Sequence, residues 1–131
     1  MFRAVALVSL AACASGPDHS TVKRPNNSLI VGDFERKPPE GTNAIRFDAN
    51  GEVRVAKDRS KLDSEPTEAS GAWTIDNDQL TLTYLKGMCS EGPKVGVYKV
   101  VISSVGIRFT KVSDSCERRS RMDGQTWWRI K

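Results

Sequence analysis

The regular return of turn signals constrains this chain more than any other feature. From residue 28 onward, clusters of Gly, Pro, Asn, Asp and Ser recur every 8–15 residues, and the runs between them are short and rich in Val, Ile, Thr and aromatic residues. Such spacing belongs to all-β folds. A long helix needs a sustained 3.6-residue apolar period, and no stretch has one. The expected strands are Leu29–Glu35, Asn43–Phe47, Glu52–Lys57, Gly71–Ile75, Gln79–Leu85, Val95–Ile102, Ile107–Val112 and Thr126–Ile130. Alternation is cleanest in the fifth, where Leu80, Leu82 and Tyr84 oppose Gln79, Thr81 and Thr83. Asn50-Gly51 marks a hairpin between the second and third strands. The charged run 58–70 reads as a long solvated loop, and residues 113–123 as a polar loop with room for one helical turn.

A meander of eight antiparallel strands exposes two edges unless its first and last strands pair. The expected fold is therefore all-β: a small antiparallel up-and-down β-barrel of about eight strands over residues 28–131. Barrels of this size hold packed side chains or one small ligand. With strands this short, the interior is expected to be more filled than hollow. Trp127 and Trp128 are adjacent, so one faces the core and the other faces outward.

The N-terminus carries a different signal. Arg3 precedes Ala4 through Ala12, apolar except for Ser9, and Cys13 follows. A membrane-spanning helix needs about 20 apolar residues. The shorter run fits the hydrophobic region of a secretory signal. Leu10-Ala11-Ala12-Cys13 resembles a lipobox, the cleavage and lipidation signal of bacterial lipoproteins. Small Ala residues admit the backbone to a peptidase, and the thiol accepts diacylglycerol. Residues 1–12 are then a signal peptide, and Cys13 is a lipidated anchor residue. Residues 13–27 form a polar tether. Several acyl chains anchor firmly where one is marginal. The alternative is a buried apolar N-terminal strand with Cys13 present by chance. The implied partner is a membrane, reached through lipid, and the implied location is the cell envelope. Ala14, not Asp, after Cys13 resembles outer-membrane sorting, facing the periplasm, in a cell with two membranes.

Three cysteines are an odd count. With Cys13 lipidated, Cys89 and Cys116 remain as a pair, and an oxidising compartment joins such a pair. The bond is expected to contribute about 3 kcal/mol. The alternative, half of a metal site, lacks any Cys or His near either residue.

Four short segments resemble the calycin group, the lipocalins and their relatives. Gly32-Asp33-Phe34 is similar to the G-x-W motif of the first lipocalin strand, with Phe in place of Trp. Gly71-Ala72-Trp73-Thr74-Ile75 followed by Asn77-Asp78-Gln79-Leu80-Thr81-Leu82 resembles a hairpin of small bacterial lipocalin-like proteins. Asp114-Ser115-Cys116-Glu117-Arg118-Arg119 resembles their D-x-C-x-x-R segment, and Trp127-Trp128-Arg129 their closing W-x-R. The resemblance implies a closed barrel but no particular ligand. It also implies an arginine packed across Phe34, either Arg129 or one of Arg118 and Arg119.

Catalytic chemistry is not expected. The one histidine, His19, lies in the tether, away from any nucleophile. No ligand set has metal-site spacing. The acid pairs Asp76 with Asp78 and Asp114 with Glu117 sit in turns, where Asp also bends backbone. No cofactor and no enzymatic activity are expected. Cleavage removes one of 20 basic side chains against 16 acidic ones, taking the formal charge from +4 to +3. That is too mild to call for nucleic acid.

Binding is the remaining function. One expectation is a small apolar or amphipathic ligand lined by Phe34, Phe47, Trp73, Tyr84, Phe109 and Trp127, which requires a cavity of about 300 Å³ or more. Arg118, Arg119 and Arg121 are candidates for an anionic group, since arginine offers a bidentate fork. The alternative for them is a solvated loop paired with Asp114, Glu117 and Asp123. The second expectation is a protein-binding envelope lipoprotein, an enzyme inhibitor or an assembly or structural factor. The anchor is directly testable. Cys13→Ser should leave an uncut precursor that incorporates no labelled fatty acid, and labelling of that variant would remove the lipobox reading.

Overall fold

The computed structural model describes residues 24–64 and 67–131. A single helical turn, α1 (Asn26–Leu29), leads into eight strands: β1 (Gly32–Glu35), β2 (Ala44–Phe47), β3 (Glu52–Ala56), β4 (Ala69–Asp76), β5 (Gln79–Gly87), β6 (Val95–Ile102), β7 (Gly106–Ser113) and β8 (Thr126–Arg129). Short 3-10 turns occur at Arg59–Lys61 and Arg119–Met122. Each strand pairs antiparallel with the next, and β8 returns to β1, so the sheet is a closed barrel. The expected eight-stranded up-and-down barrel is the observed one.

The first strand departs from expectation. It begins at Gly32, and the chain before it is helical, with the Ser28 and Leu29 amides donating to the Pro25 carbonyl. The reason is packing. Leu29 and Ile30 are both buried. In an extended strand, neighbouring side chains point to opposite faces, so one of the two would leave the core. A helical turn sends both into the barrel's lower end. Asn26 and Asn27, expected in the tether, are thus part of the domain. Cys13 and most of the tether lie outside the described residues. Leu62 also departs from expectation. It is buried on the outer wall with Ala44, Ala56 and Ile130, so the 58–70 run is partly docked.

Alternation sends one face of every strand inward. Phe34, Phe47 and Trp73 pack edge to face, with ring centroids 6.0 Å apart at each contact. Tyr98, Phe109 and Trp127 do the same at 6.1 and 6.0 Å. Aliphatic side chains from β2, β3, β5, β6 and β7 fill the space around these rings. The interior is a core.

Closure rests on few backbone bonds. β1 and β8 pair only at Phe34 with Arg129 and at Glu35 with Trp128, and the Ile130 amide adds a bond of 2.9 Å to the Asp33 carbonyl. A side chain reinforces this seam. The Arg129 guanidinium lies 4.5 Å from the Phe34 ring centroid. It donates to the carbonyls of Leu29 at 2.7 Å, Val31 at 3.2 Å and Ser103 at 3.0 Å. Of the three candidate arginines, Arg129 is the one across Phe34. Gly32 makes room for it: at φ 139°, a Cβ there would stand 2.9 Å from Arg129 Nη1.

Phe34 is fully buried at this seam. Phe34→Ala should therefore cost about 3–5 kcal/mol, as other buried aromatic truncations do. Urea denaturation monitored by tryptophan fluorescence reads that loss as a lower midpoint. A midpoint within about 1 kcal/mol of the parent would show that the seam does not depend on the ring.

Candidate functional site

The two ends of the barrel differ. The lower end carries the tight turns 48–51, 77–78 and 103–105 and is plugged by α1 and Ile30. The upper end carries the longer connections 36–43, 57–68, 88–94 and 114–125. A disulfide joins two of these: Cys89 and Cys116 are bonded, with Cα atoms 6.0 Å apart. The expected pairing is the observed one.

A buried ion pair organises the same end. Arg119 and Asp114 side chains are fully covered, with Arg119 Nε 2.7 Å from Asp114 Oδ2. Arg119 also donates to Asp114 Oδ1 at 2.8 Å, the Pro93 carbonyl at 2.8 Å and the Lys94 carbonyl at 3.0 Å. Its guanidinium lies 4.6 Å from the Tyr84 ring centroid. Asp114 accepts further bonds from the Tyr98 hydroxyl and the Cys116 amide. Gly96 admits the pair, since a Cβ there would meet Asp114 Oδ2 at 2.5 Å and Arg119 Nε at 2.6 Å. Burial pushes the Asp114 carboxyl up, but the bonds from Arg119, Tyr98 and the Cys116 amide outweigh it and hold the group below the usual carboxylate range.

Beside this pair a cleft of about 130 Å³ opens at the mouth. Val55, Tyr84, Met88, Met122 and Trp127 form its apolar part, and Arg36, Asn43, Glu68, Arg118, Arg119 and Arg121 its polar part. Arg118 pairs with Glu68 at 3.3 Å. Arg36 is held differently. Its Nε donates to Gln125 Oε1 at 3.0 Å and its Nη1 to Asn43 Oδ1 at 2.9 Å. Its guanidinium stands over the Trp127 ring, 5.5 Å from the centroid. Gln125 Oε1 also accepts from Trp127 Nε1 at 3.2 Å, which locks the three side chains together. Burial, then the neighbouring Arg121 charge, hold the Arg36 guanidinium below its ordinary value, with Glu40 opposing.

The residues expected to line a ligand site divide. Tyr84 and Trp127 reach the cleft, while Phe34, Phe47 and Trp73 pack together in the core and Phe109 packs there between Tyr98 and Trp127. The anion candidates divide as well. Arg119 has its charge matched by Asp114, Arg118 shares Glu68, and Arg121 is exposed on the rim. Arg36 escaped the sequence reading. Period-two alternation could have found it, because it follows Phe34 by two residues and so continues the inward face. Trp128 is the outward member of its pair, 39% exposed beside Val101 and Val105 on the lower wall. Among the described residues, no group of three or more His, Cys, Asp or Glu could hold a metal.

Asp114 generates a pH prediction. A carboxyl held low contributes stability that is present above its unfolded value, about 3.9. That stability is lost as pH falls through the lower folded value. Asp114→Asn should cost about 3–5 kcal/mol near neutral pH, because it leaves Arg119 buried and unmatched. It should also flatten the acid limb of the stability profile, read as urea midpoints from about pH 7 down to about pH 2.5. An unchanged acid limb in the variant would assign that limb to other carboxyls. No protein-family profile, curated protein or solved structure matches the chain.

Proposed function

We propose that this chain is a lipid-anchored envelope protein whose barrel binds a protein partner at its upper mouth. The observation that carries this reading is the contrast between a filled interior and an open, charged mouth. Ligand pockets of carrier type run from about 300 to 1,000 Å³. The cleft here is about 130 Å³, close to the roughly 150 Å³ void that holds one benzene. It accepts a group the size of one side chain. Carriage of a small apolar ligand in the interior has no comparable room.

Lipidation at Cys13 and an envelope location belong to the same proposal. They rest on the lipobox-like residues 10–13 and on the Cys89–Cys116 disulfide, a bond that persists in oxidising compartments. The closed eight-stranded barrel supports likeness to the calycin group in architecture. Among the described residues the mouth presents arginines and aromatic rings, a set suited to binding.

The test uses the full chain expressed in its host. A photocrosslinking residue at Glu117, on an upper loop, should yield one protein adduct in intact cells. The same residue at Thr110, on the outer wall, should yield none. Native mass spectrometry of the detergent-extracted chain should find no noncovalent small molecule. A copurifying apolar molecule released on unfolding would overturn the reading in favour of a carrier.

A further inference from the structure

Among the described residues, the cleft's charges do not balance. Arg119 is matched by Asp114, and Arg118 by Glu68. Arg36 has only the neutral oxygens of Gln125 and Asn43, and among the described residues it forms no ion pair. Arg121, exposed on the same rim, has no side-chain hydrogen bond or ion pair among the described residues either. Glu40 is near enough to favour the charged form of Arg36 but makes no bond to it. Covering a guanidinium without a counter-charge is costly unless neutral acceptors take up its donors, as three carbonyls do for Arg129. Here the cation is instead held in place by Gln125 and Trp127 with unspent donors. That is a preorganised anion subsite.

The rest of the cleft defines what carries the anion. Trp127, Tyr84, Met88, Met122 and Val55 offer flat and flexible apolar surface next to the charge. A bare inorganic dianion would leave that surface unused. A small carboxylate on an aromatic or aliphatic body uses both halves, and the volume admits a body of about one side chain. We infer that the cleft binds a carboxylate attached to a side-chain-sized apolar group, with Arg36 and Arg121 holding the carboxylate and Trp127 and Tyr84 the apolar part. This rests on the mouth being the binding end. Two sources share the chemistry, a free small acid and the C-terminal residue of a peptide.

The experiment uses the ¹⁵N-labelled full chain in detergent, with N-acetylphenylalanine, its amide, inorganic phosphate, and a hexapeptide ending in Phe-COOH as probes. The expected result is that the acid shifts the Trp127 indole and Arg36 Nε–H signals in the millimolar range, and that the amide and phosphate do not. Arg121→Gln, a change at an exposed side chain, should weaken binding about tenfold, the loss of one charge-assisted contact. Arg36→Gln should abolish the shifts while the melting temperature reports whether it folds. Equal shifts from acid and amide, shifts that map to the outer wall, or undiminished binding to Arg121→Gln would overturn the inference. The peptide arm separates this result from the reading it rests on. Binding of the free acid without binding of the peptide would keep the subsite and remove the protein partner. A crosslinked partner with no response to any carboxylate would do the reverse.

Discussion

The closure of β1 on β8 is the constraint on which the rest of the structure depends. Two residue pairs are a thin ladder for a seam that must abolish two sheet edges. Arg129 makes up the difference by gathering carbonyls from the α1 exit, the β1 approach and the 103–105 turn while lying on Phe34. The arrangement needs no carboxylate. A delocalised guanidinium is weakly hydrated, and three backbone oxygens with an aromatic face substitute for water. Once the seam is shut, the inward faces of all eight strands share one core. The upper loops then form a ring instead of a row.

Arginine serves three distinct purposes along this barrel. At the lower end, Arg129 joins chain segments through neutral acceptors. At the upper end, Arg119 meets a carboxylate and two loop carbonyls. A buried pair of this kind gains little net stability after desolvation. What it adds is position: it fixes the 114–125 connection over the core, next to the disulfide. Arg119 spends donors at Nε and at both terminal nitrogens, and Arg129 spends both terminal nitrogens while its buried Nε has no partner among the described residues. Among the described residues Arg36, like Arg129, meets only neutral oxygens, but it faces the open cleft with its Nη2 donors unspent.

Much of the fold was legible because barrels are written in local patterns. Turn residues and period-two alternation placed all eight strands, and the edge argument closed them. The disulfide followed from counting. The ends of elements were harder. Leu29 and Ile30 read as strand because both are apolar, and only the need to bury two consecutive side chains in one plug makes the chain turn there. Leu62 sat in a charged run, and nothing local said that Ala44 and Ala56 would leave a small outer hollow for it. The site was the least legible part. Arg118, Arg119 and Arg121 stood out as a cluster, yet their differing roles depend on Glu68 and Asp114 at distances that only the closed barrel sets. Arg36 came from a strand end with no cluster to flag it.

The chain enters the barrel at the plugged end, where α1 packs near the β4–β5 turn through a bond from Asn26 to the Asn77 carbonyl. The cleft opens at the other end. For a chain anchored at Cys13, this gives the molecule a direction. The plug and the mouth lie at opposite ends of the core, so a chain that enters at the plug leaves the arginine-lined opening at the far end of the domain. Thirteen positions separate Cys13 from Asn26, which at full extension sets an upper reach of roughly 45 Å. With lipid on Cys13, as proposed, that reach would bound how far the domain can stand from the membrane surface.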